Sequence, residues 1–201
     1  MSWIRIVDPA DAVAPLAEIY ARVAGPDGHV DNVLTVHSLR PHTLVGHMTL
    51  YKNVLHHRGN TLPKWYLECI GVYVSHLNQC GYCVAHHLAG LARLLDDGAR
   101  ANALLTAMSA HRFEGLLDAK CAAGMIYVRR LTEAPALVAE HDIAALGAAG
   151  FDDGEILEIN QVAAYFAYAN RTVLGLGVTT DGDVIGLSPG DNADEGNWSH
   201  G

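Results

Sequence analysis

Four side chains that could take part in chemistry lie in one short stretch of this chain, from Glu68 to His87. Cys80 and Cys83 form a C-x-x-C motif, His87 follows Cys83 by four residues, and Glu68 precedes Cys80 by twelve. A thiol is a nucleophile in its thiolate form, and a second thiol can form a disulfide with the first once that one is oxidised. A carboxylate, two thiols and an imidazole at these spacings therefore indicate redox chemistry.

Two predicted helices, over about 63–77 and 80–95, would position these groups. Apolar residues at three- and four-residue spacing run through both segments, and Asn78–Gln79 interrupts the pattern between them. The two cysteines and the histidine fall at i, i+3 and i+7 of the second helix, so they share one stripe of its surface. An antiparallel pair of helices would bring Glu68 close to that stripe.

The position of each group indicates its role. Cys80 is predicted at a helix N-terminus, where unpaired N–H groups and the helix dipole lower the pKa of a thiol. Cys83 needs a base, which His87 can supply, and Glu68 can orient the imidazole. The result is a Glu–His–Cys relay in which a thiolate cleaves a peroxide O–O bond, the second thiol forms a disulfide, and an outside dithiol resets the pair. Either cysteine can attack first, and we favour Cys83 with Cys80 resolving.

The rest of the chain predicts an all-α protein, because the period-two alternation of strands is nearly absent. Helices are also expected over Pro9–Ala24, Pro41–Leu55, Ala101–Ser109, Phe113–Leu131, Ala136–Leu146 and from the start signal at Asp152 to about Leu174.

Length and charge limit the classes of function. With 201 residues, a formal charge of −9 and scattered basic residues, the chain is expected to bind neither nucleic acid nor an anionic membrane surface. Its first residues lack the order of a signal peptide, and no apolar run approaches the roughly 18 residues of a membrane span. We therefore expect a soluble cytoplasmic protein, and in a reducing compartment a C-x-x-C is more often redox-active or metal-binding than structural.

The other polar and reactive residues are interpreted as structural. Cys69 and Cys121 are expected to be buried small hydrophobic residues. His86 points about 100° away from His87 around the helix and is interpreted as a flanking polar residue. Asn170–Arg171 is interpreted as helix-end hydrogen bonding or an inter-subunit contact. Five histidines have no acid or thiol at ligand spacing and are expected to be solvated or locally hydrogen-bonded: His37, His42, His47, His56 and His57.

A single helical domain is predicted over residues 1–178, followed by an acidic irregular tail over 179–201. From Asp181 onward the chain has five acids and neither Lys nor Arg, which favours disorder. Trp198 is the exception, since a lone aromatic residue can anchor a tail on the core or on a neighbouring subunit, although a loose end is the favoured expectation.

The spacing Glu-x11-Cys-x2-Cys-x3-His resembles that of the alkylhydroperoxidase AhpD-like branch of the carboxymuconolactone decarboxylase family. Glu68, Cys80, Cys83 and His87 match the pattern residue by residue. The resemblance extends from Ser38-Leu39-Arg40-Pro41 to residues 145–177, so it covers most of the chain apart from the N-terminal segment and the tail.

This resemblance implies an AhpD-like helical bundle that forms a homo-oligomer and reduces alkyl hydroperoxides in antioxidant defence. It implies that Glu68, Cys80, Cys83 and His87 are catalytic. We expect no bound cofactor or metal. The reductant would be an external dithiol, either a lipoyl-bearing protein, as in AhpD, or a thioredoxin-like one. Tyr82 departs from the family pattern, which has a histidine before the second cysteine, so the relay is expected to differ in detail.

Three alternatives remain open at this point. A carboxymuconolactone decarboxylase-like lyase would not be expected to have the cysteine pair, and the sequence contains no concentrated basic pocket for a dicarboxylate. A zinc-binding or redox-sensing module would use Cys80, Cys83, His87 and either His76 or Glu68 as ligands. A buried cysteine pair without chemistry is the third alternative.

Overall fold

The computed structural model describes residues 2–188 and residue 198, and within them the chain is all-helical, as predicted. None of these residues lies in a β-strand. The helices are α1 Leu16–Val23, α2 Asn32–Thr35, α3 Pro41–Leu55, α4 Lys64–Leu77, α5 Gly81–Leu95, α6 Gly98–Ala110, α7 Ala119–Glu133, α8 Glu140–Ala148 and α9 Asp153–Leu176. Among the described residues, none of the helices combines the length and the apolar character that crossing a bilayer requires.

Helix α4 is the centre of the fold. Every residue from Tyr66 to Ser75 is buried, because α5, α6, α7 and α9 pack around this helix. A helix that is apolar on all sides belongs in the interior of a bundle. Glu68 is the acidic residue in this buried segment, so its carboxylate requires a partner inside the protein.

A tight turn joins α4 to α5 and places the cysteines. Asn78 ends α4, and Gln79 adopts a left-handed conformation with φ 58°. The backbone N–H of Cys80 then donates to the carbonyl of Ser75 at 2.8 Å. The break predicted at Asn78–Gln79 is therefore present, and it brings α5 back along α4.

Helix α9 packs closely against α4 at Gly71. A methyl group on Gly71 would overlap the ring of Phe166, so the absence of a side chain allows the two helices to approach. Phe166 in turn stands edge-on to the ring of His87, with the ring centroids 4.6 Å apart. The α4–α9 contact therefore positions Phe166, and the ring of Phe166 packs against the imidazole of His87.

Several predicted helix boundaries were wrong. The helix predicted over Ala136–Leu146 is a 3-10 turn, Pro135–Leu137, followed by α8, which begins only at Glu140. Two others were wrong for identifiable local reasons. The helix predicted over Pro9–Ala24 is a short 3-10 turn, Pro9–Asp11, followed by α1, because Pro15 cannot donate a backbone hydrogen bond inside a helix. The helix predicted from Phe113 begins only at Ala119, where the side chain of Asp118 caps it by accepting from the N–H of Cys121.

Residues 178–188, which we call the strap, are irregular but packed. Arg93 of α5 donates to the carbonyl of Gly186 at 2.7 Å and to the hydroxyl of Ser188 at 3.0 Å. The side-chain amide of Asn32 donates to two further strap carbonyls. The first part of the predicted tail, residues 179–188, is thus bound to α5 and to the start of α2.

Trp198 is buried against the core instead of forming a loose end. It is 4% exposed, and the guanidinium of Arg22 lies 3.9 Å from the centroid of its ring. The favoured expectation of a loose end was therefore wrong for this residue, and the alternative, anchoring on the core, is present within this chain. The rest of the predicted tail, residues 189–197 and 199–201, lies outside the described residues.

Candidate active site

Glu68 and His87 form a buried charge-assisted hydrogen bond between α4 and α5. Nδ1 of His87 lies 2.7 Å from Oε2 of Glu68, and Glu68 is only 2% exposed. Burial by itself would raise the pKa of the Glu68 carboxyl, but the charge and the hydrogen bond of His87 hold that pKa below its ordinary value. A carboxylate on Nδ1 fixes the ring and leaves Nε2 as the basic nitrogen. The structure thus joins the two side chains that the sequence had paired, and their catalytic role stays a prediction.

Cys80 and Cys83 lie side by side at the start of α5. Both are free thiols, and their Sγ atoms are 2.8 Å apart. Cys80 is the N-cap residue of the helix and Cys83 is buried in its first turn. The two sulfurs are therefore placed for a disulfide to form with little movement of the backbone.

The hydrogen bond between the sulfurs separates their proton affinities. The pKa of the Cys80 thiol is lowered by the hydrogen bond with Cys83, and then by the nearby Asn170 amide and His87, although burial opposes this. The pKa of Cys83 is raised by the same hydrogen bond and by burial. The pair therefore loses its first proton readily and its second with difficulty, as expected for coupled groups.

A small cavity lies beside the cysteines. Its volume is about 50 Å³, whereas about 10–15 Å³ is enough for one water molecule. Cys83, His87 and Glu68 line it on one side, and Gly186, Leu187 and Ser188 of the strap line it on another. Aromatic rings supply much of the remaining wall, from Tyr51, Tyr165 and Phe166. One thiol and the imidazole thus reach the same enclosed space.

Asn170 belongs to the site, although the sequence interpretation placed it at a helix end or an inter-subunit contact. It is fully buried in α9, where its amide donates to the hydroxyl of Ser75 and its carbonyl accepts from Asn78, both at 3.0 Å. Its amide also reaches the two sulfurs and lowers the pKa of each. The signal in the sequence was a lone asparagine in an apolar helical run, whose distance from the cysteines only the fold could reveal.

Tyr82 and His86 both contact the carboxylate of Asp183 in the strap. The hydroxyl of Tyr82 donates to Asp183 at 2.6 Å and accepts from the N–H of Val33 at 3.2 Å. His86 stacks on the ring of Tyr82 and brings Nε2 within 3.4 Å of Asp183. The interpretation of His86 as a flanking polar residue was wrong, since it is 8% exposed. Tyr82 is therefore part of a contact that holds the strap.

The interpretation of the five upstream histidines was also partly wrong. His47 and His56 are buried, and Nε2 of His47 lies 3.4 Å from the hydroxyl of Tyr165. His57 does bond locally, with Nδ1 accepting from the N–H of Gly59 at 3.0 Å. His47 also lines the cavity, so helix α3 contributes to the site as well as α4, α5 and α9.

The predicted zinc ligands do not come together. Over residues 2–188 and 198, the single group of three His, Cys, Asp or Glu side chains with ligand atoms within 4.8 Å of one another is His29, Asp31 and Asp183. The cysteine pair and His87 are not such a group, because no choice of their ligand atoms meets that distance. This geometry disfavours a zinc site at the cysteines.

Comparison with known proteins identifies the fold. No family model matches the chain, and no curated protein matches it. Among solved structures, the AhpD-core, peroxidase-related protein from Ralstonia eutropha JMP134 is similar with a TM-score of 0.75 at 22% identity, over 90% of this chain and 93% of that one. A peroxidase-related protein from Silicibacter sp. TM1040 has the same TM-score and coverage at 23% identity.

An enzyme is also among the similar structures. A variant of the debrominase Bmp8, in complex with 2,3,4-tribromopyrrole, has a TM-score of 0.71 at 15% identity, over 90% of this chain and 95% of that one. The prediction of an AhpD-like all-helical fold is therefore confirmed, and the predicted homo-oligomer stays a prediction.

Proposed function

We propose that this chain is a thiol-dependent peroxidase that reduces small hydroperoxides through Cys80 and Cys83, with Glu68 and His87 as the proton relay. The observation that carries the proposal is that Cys83 and His87 line the same cavity. The second thiol, Cys80, contacts the sulfur of Cys83. A dithiol, an oriented imidazole and an enclosed space are the parts that such a reduction needs.

The reaction balances with these groups and one external reductant. The Cys83 thiolate attacks an oxygen of the hydroperoxide, the O–O bond breaks, and the alkoxide takes a proton carried by His87 and leaves as an alcohol. The Cys83 sulfenic acid is then attacked by Cys80, which releases water and forms the disulfide. An external dithiol reduces that disulfide and is itself oxidised.

Access and proton affinity assign different tasks to the two thiols. Cys83 lines the cavity, whereas Cys80 is fully buried. The lowered pKa of Cys80 places the first negative charge of the pair there. Because a peroxide in the cavity meets Cys83 first, we assign the attack to Cys83, with His87 taking its proton and delivering it to the leaving alkoxide.

The proposed reductant is a dithiol of the lipoyl or thioredoxin-like type, and the proposed setting is a cytoplasmic homo-oligomer. The disulfide would form beneath residues 186–188 of the strap, which line the cavity. We therefore expect the strap to move aside when the reductant attacks.

Two serine variants test the proposal. Cys83→Ser is expected to abolish consumption of an organic hydroperoxide in the presence of excess dithiol. Cys80→Ser is expected to form a sulfenic acid on Cys83 that dimedone traps, without multiple turnover, because it lacks the resolving thiol. Peroxide turnover that survives in Cys83→Ser would overturn the mechanism.

Cys121→Ser is the matched control for these variants. Cys121 is partly exposed in α7 and does not line the cavity. Burial raises the pKa of its thiol to about 12, so it is a poor nucleophile at neutral pH. This variant is expected to retain turnover and to form the intramolecular Cys80–Cys83 disulfide.

The cavity wall supports a second candidate function, the reductive dehalogenation of a small aromatic ring. The rings of Tyr51 and Tyr165 stack at 5.4 Å, and Phe166 lies next to Tyr165, which suits a planar apolar ligand. The debrominase with a similar fold provides the precedent. In such a reaction the two thiols become a disulfide, the carbon–bromine bond is replaced by carbon–hydrogen, and bromide leaves.

One paired assay decides between the two candidates. The protein is incubated with excess dithiol and either an alkyl hydroperoxide or 2,3,4-tribromopyrrole, and peroxide loss or bromide release is measured. Peroxidase function predicts rapid turnover of the first substrate alone. Bromide release without peroxide turnover would replace the first proposal by the second.

The lining of the cavity does not favour the lyase alternative. Its described residues include neither Lys nor Arg, and they include the acids Asp31 and Glu68. A dicarboxylate in this space would meet negative charge without a cation to pair with.

A further inference from the structure

A cluster of two buried carboxylates and a partly exposed imidazole, Asp31, Asp183 and His29, lies next to the thiol cavity and has no part in the proposed peroxide chemistry. Nε2 of His29 is 3.2 Å from Oδ1 of Asp183 and 3.7 Å from Oδ1 of Asp31. The three ligand atoms lie within 4.8 Å of one another. Around a tetrahedral metal with bonds of about 2.0–2.1 Å, neighbouring ligand atoms are roughly 3.3–3.4 Å apart. The two separations from Nε2 of His29 are within a few tenths of an ångström of that value.

The carboxylate of Asp31 has no partner that accounts for its position. Asp31 is the N-cap residue of α2, yet its side chain makes no capping hydrogen bond, although capping is the usual role of aspartate there. It is 7% exposed, and its Oδ1 atom has no hydrogen-bond partner among the described residues. A buried carboxylate oxygen without a donor is costly, and this one points at the imidazole and the second carboxylate.

The other carboxylate is already held as a metal ligand would be. Asp183 accepts from the backbone N–H of Asn32 at 3.0 Å and from the hydroxyl of Tyr82 at 2.6 Å. Nε2 of His86 approaches its Oδ2 atom at 3.4 Å. Such outer contacts to a ligating carboxylate orient it toward the metal. Oδ1 itself accepts the 3.0 Å bond from the N–H of Asn32 and faces Nε2 of His29 at 3.2 Å.

We propose that His29, Asp31 and Asp183 bind a divalent transition-metal ion of the Zn²⁺ type. One imidazole and two carboxylates suit such an ion better than Ca²⁺ or Mg²⁺, which prefer six or more oxygen ligands. Two negative charges balance the charge of the ion. The three protein ligands leave a fourth position for water.

The metal would tie the strap to the core. Asp183 belongs to the strap, whereas His29 and Asp31 belong to the segment before α2. Gly186, Leu187 and Ser188, a few residues beyond Asp183, line the thiol cavity. A metal at the cluster therefore fixes the wall of that cavity, whatever substrate the thiols reduce.

The experiment measures metal binding by a protein in which both cysteines of the C-x-x-C motif have been replaced. The Cys80→Ser/Cys83→Ser protein is stripped with a chelator, dialysed against Zn²⁺ and, separately, Mn²⁺, and analysed for bound metal and melting temperature. We expect one Zn²⁺ per chain and a higher melting temperature with metal. In this background Asp31→Asn and His29→Gln are expected to lose both effects. Tyr82→Phe is expected to bind roughly 10- to 100-fold more weakly.

The chain offers a matched control. His141 and Asp142 form a His–Asp pair with the same Nε2–Oδ1 separation of 3.7 Å, but His141 is 71% exposed. His141→Gln is expected to bind metal like the background protein. Retention of metal by Asp31→Asn, or failure of the background protein to bind Zn²⁺, would overturn the proposal. Circular dichroism of metal-free Asp31→Asn checks that the variant is folded, so that loss of binding is not loss of structure.

Discussion

Replacing Glu68 by glutamine tests the proposed relay with little change of shape. Glu68 is buried, and its carboxylate meets His87 at 2.7 Å. Glutamine can still accept a hydrogen bond from Nδ1 of His87, but it carries no charge to stabilise the imidazolium that forms when the ring takes a proton. The variant therefore separates the electrostatic role of Glu68 from its role in packing.

The expected effects on activity and on stability differ in size. General acid–base catalysis contributes roughly 10²- to 10⁴-fold, which corresponds to about 3–5 kcal/mol of transition-state stabilisation. We expect kcat/KM for hydroperoxide to fall by an amount in that range. The free energy of unfolding at neutral pH should fall by only about 1–2 kcal/mol, the difference between a charged and a neutral hydrogen bond.

The pH dependence provides a second test of the same variant. Because the pKa of Glu68 is lowered in the folded protein, its ionised form adds stability at pH values above its ordinary pKa. This contribution is lost as the pH falls through the lowered value. The unfolding free energy of Glu68→Gln should therefore decrease less steeply in acid than that of the parent protein.

The assay is peroxide consumption under excess dithiol, with urea unfolding curves collected in parallel. Glu158→Gln is the control, since the Glu158 carboxylate accepts from the N–H groups of Thr61 and Leu62 and is absent from the cavity wall. It should lose stability but keep its activity. Undiminished turnover by Glu68→Gln would refute the relay, even if the protein were less stable.

Three further predictions concern packing, the buried carboxylate and the asparagine. Gly71→Ala should lower the free energy of unfolding by about 1–3 kcal/mol, because the new methyl overlaps Phe166, and should slow turnover because that ring supports His87. Burial raises the pKa of Asp31 from 3.8 to about 6, so folding favours the protonated carboxyl, and the stability that this form provides is lost as the pH rises through about 6. At pH 7 the parent protein therefore buries a carboxylate that is ionised at a cost. Asp31→Asn, with metal removed, should be more stable than the parent protein at that pH by about 2–3 kcal/mol. Asn170→Leu should raise the pKa of the Cys80 thiol, measured by the pH dependence of its alkylation, and should cost about 1–3 kcal/mol through the partners it leaves unpaired.

Each of these predictions has a control or a contrary result. Gly46→Ala, in α3 with open space around it, should be neutral or stabilising by up to about 1 kcal/mol, and an equal loss in both glycine variants would contradict the packing argument. The gain in Asp31→Asn should vanish below about pH 3, where the parent carboxyl is protonated in both states. An unchanged alkylation profile in Asn170→Leu would show that the amide does not act on the thiols.

The α4–α5 part of the site could be predicted from the sequence because its geometry is local. Cys80, Cys83 and His87 share one stripe of α5 through helical periodicity alone. Glu68 meets them because the turn at Asn78–Gln79 is short and therefore makes the two helices antiparallel. Helical spacing likewise predicted the all-α class, although it misplaced boundaries where Pro15 lacks a backbone donor and where Asp118 caps a helix.

The rest of the site was decided by contacts between distant segments. Asn170 reaches the cysteines from α9, and Asp183 reaches Tyr82 and His86 from a strap whose composition indicated only disorder. Such contacts depend on how α9 and the strap pack against α4 and α5, which no spacing along the chain encodes. The sequence by itself therefore determined the reactive groups and the helix pair that carries them, whereas the tertiary structure decided which thiol meets the cavity, what encloses that cavity, and that His29, Asp31 and Asp183 converge beside it.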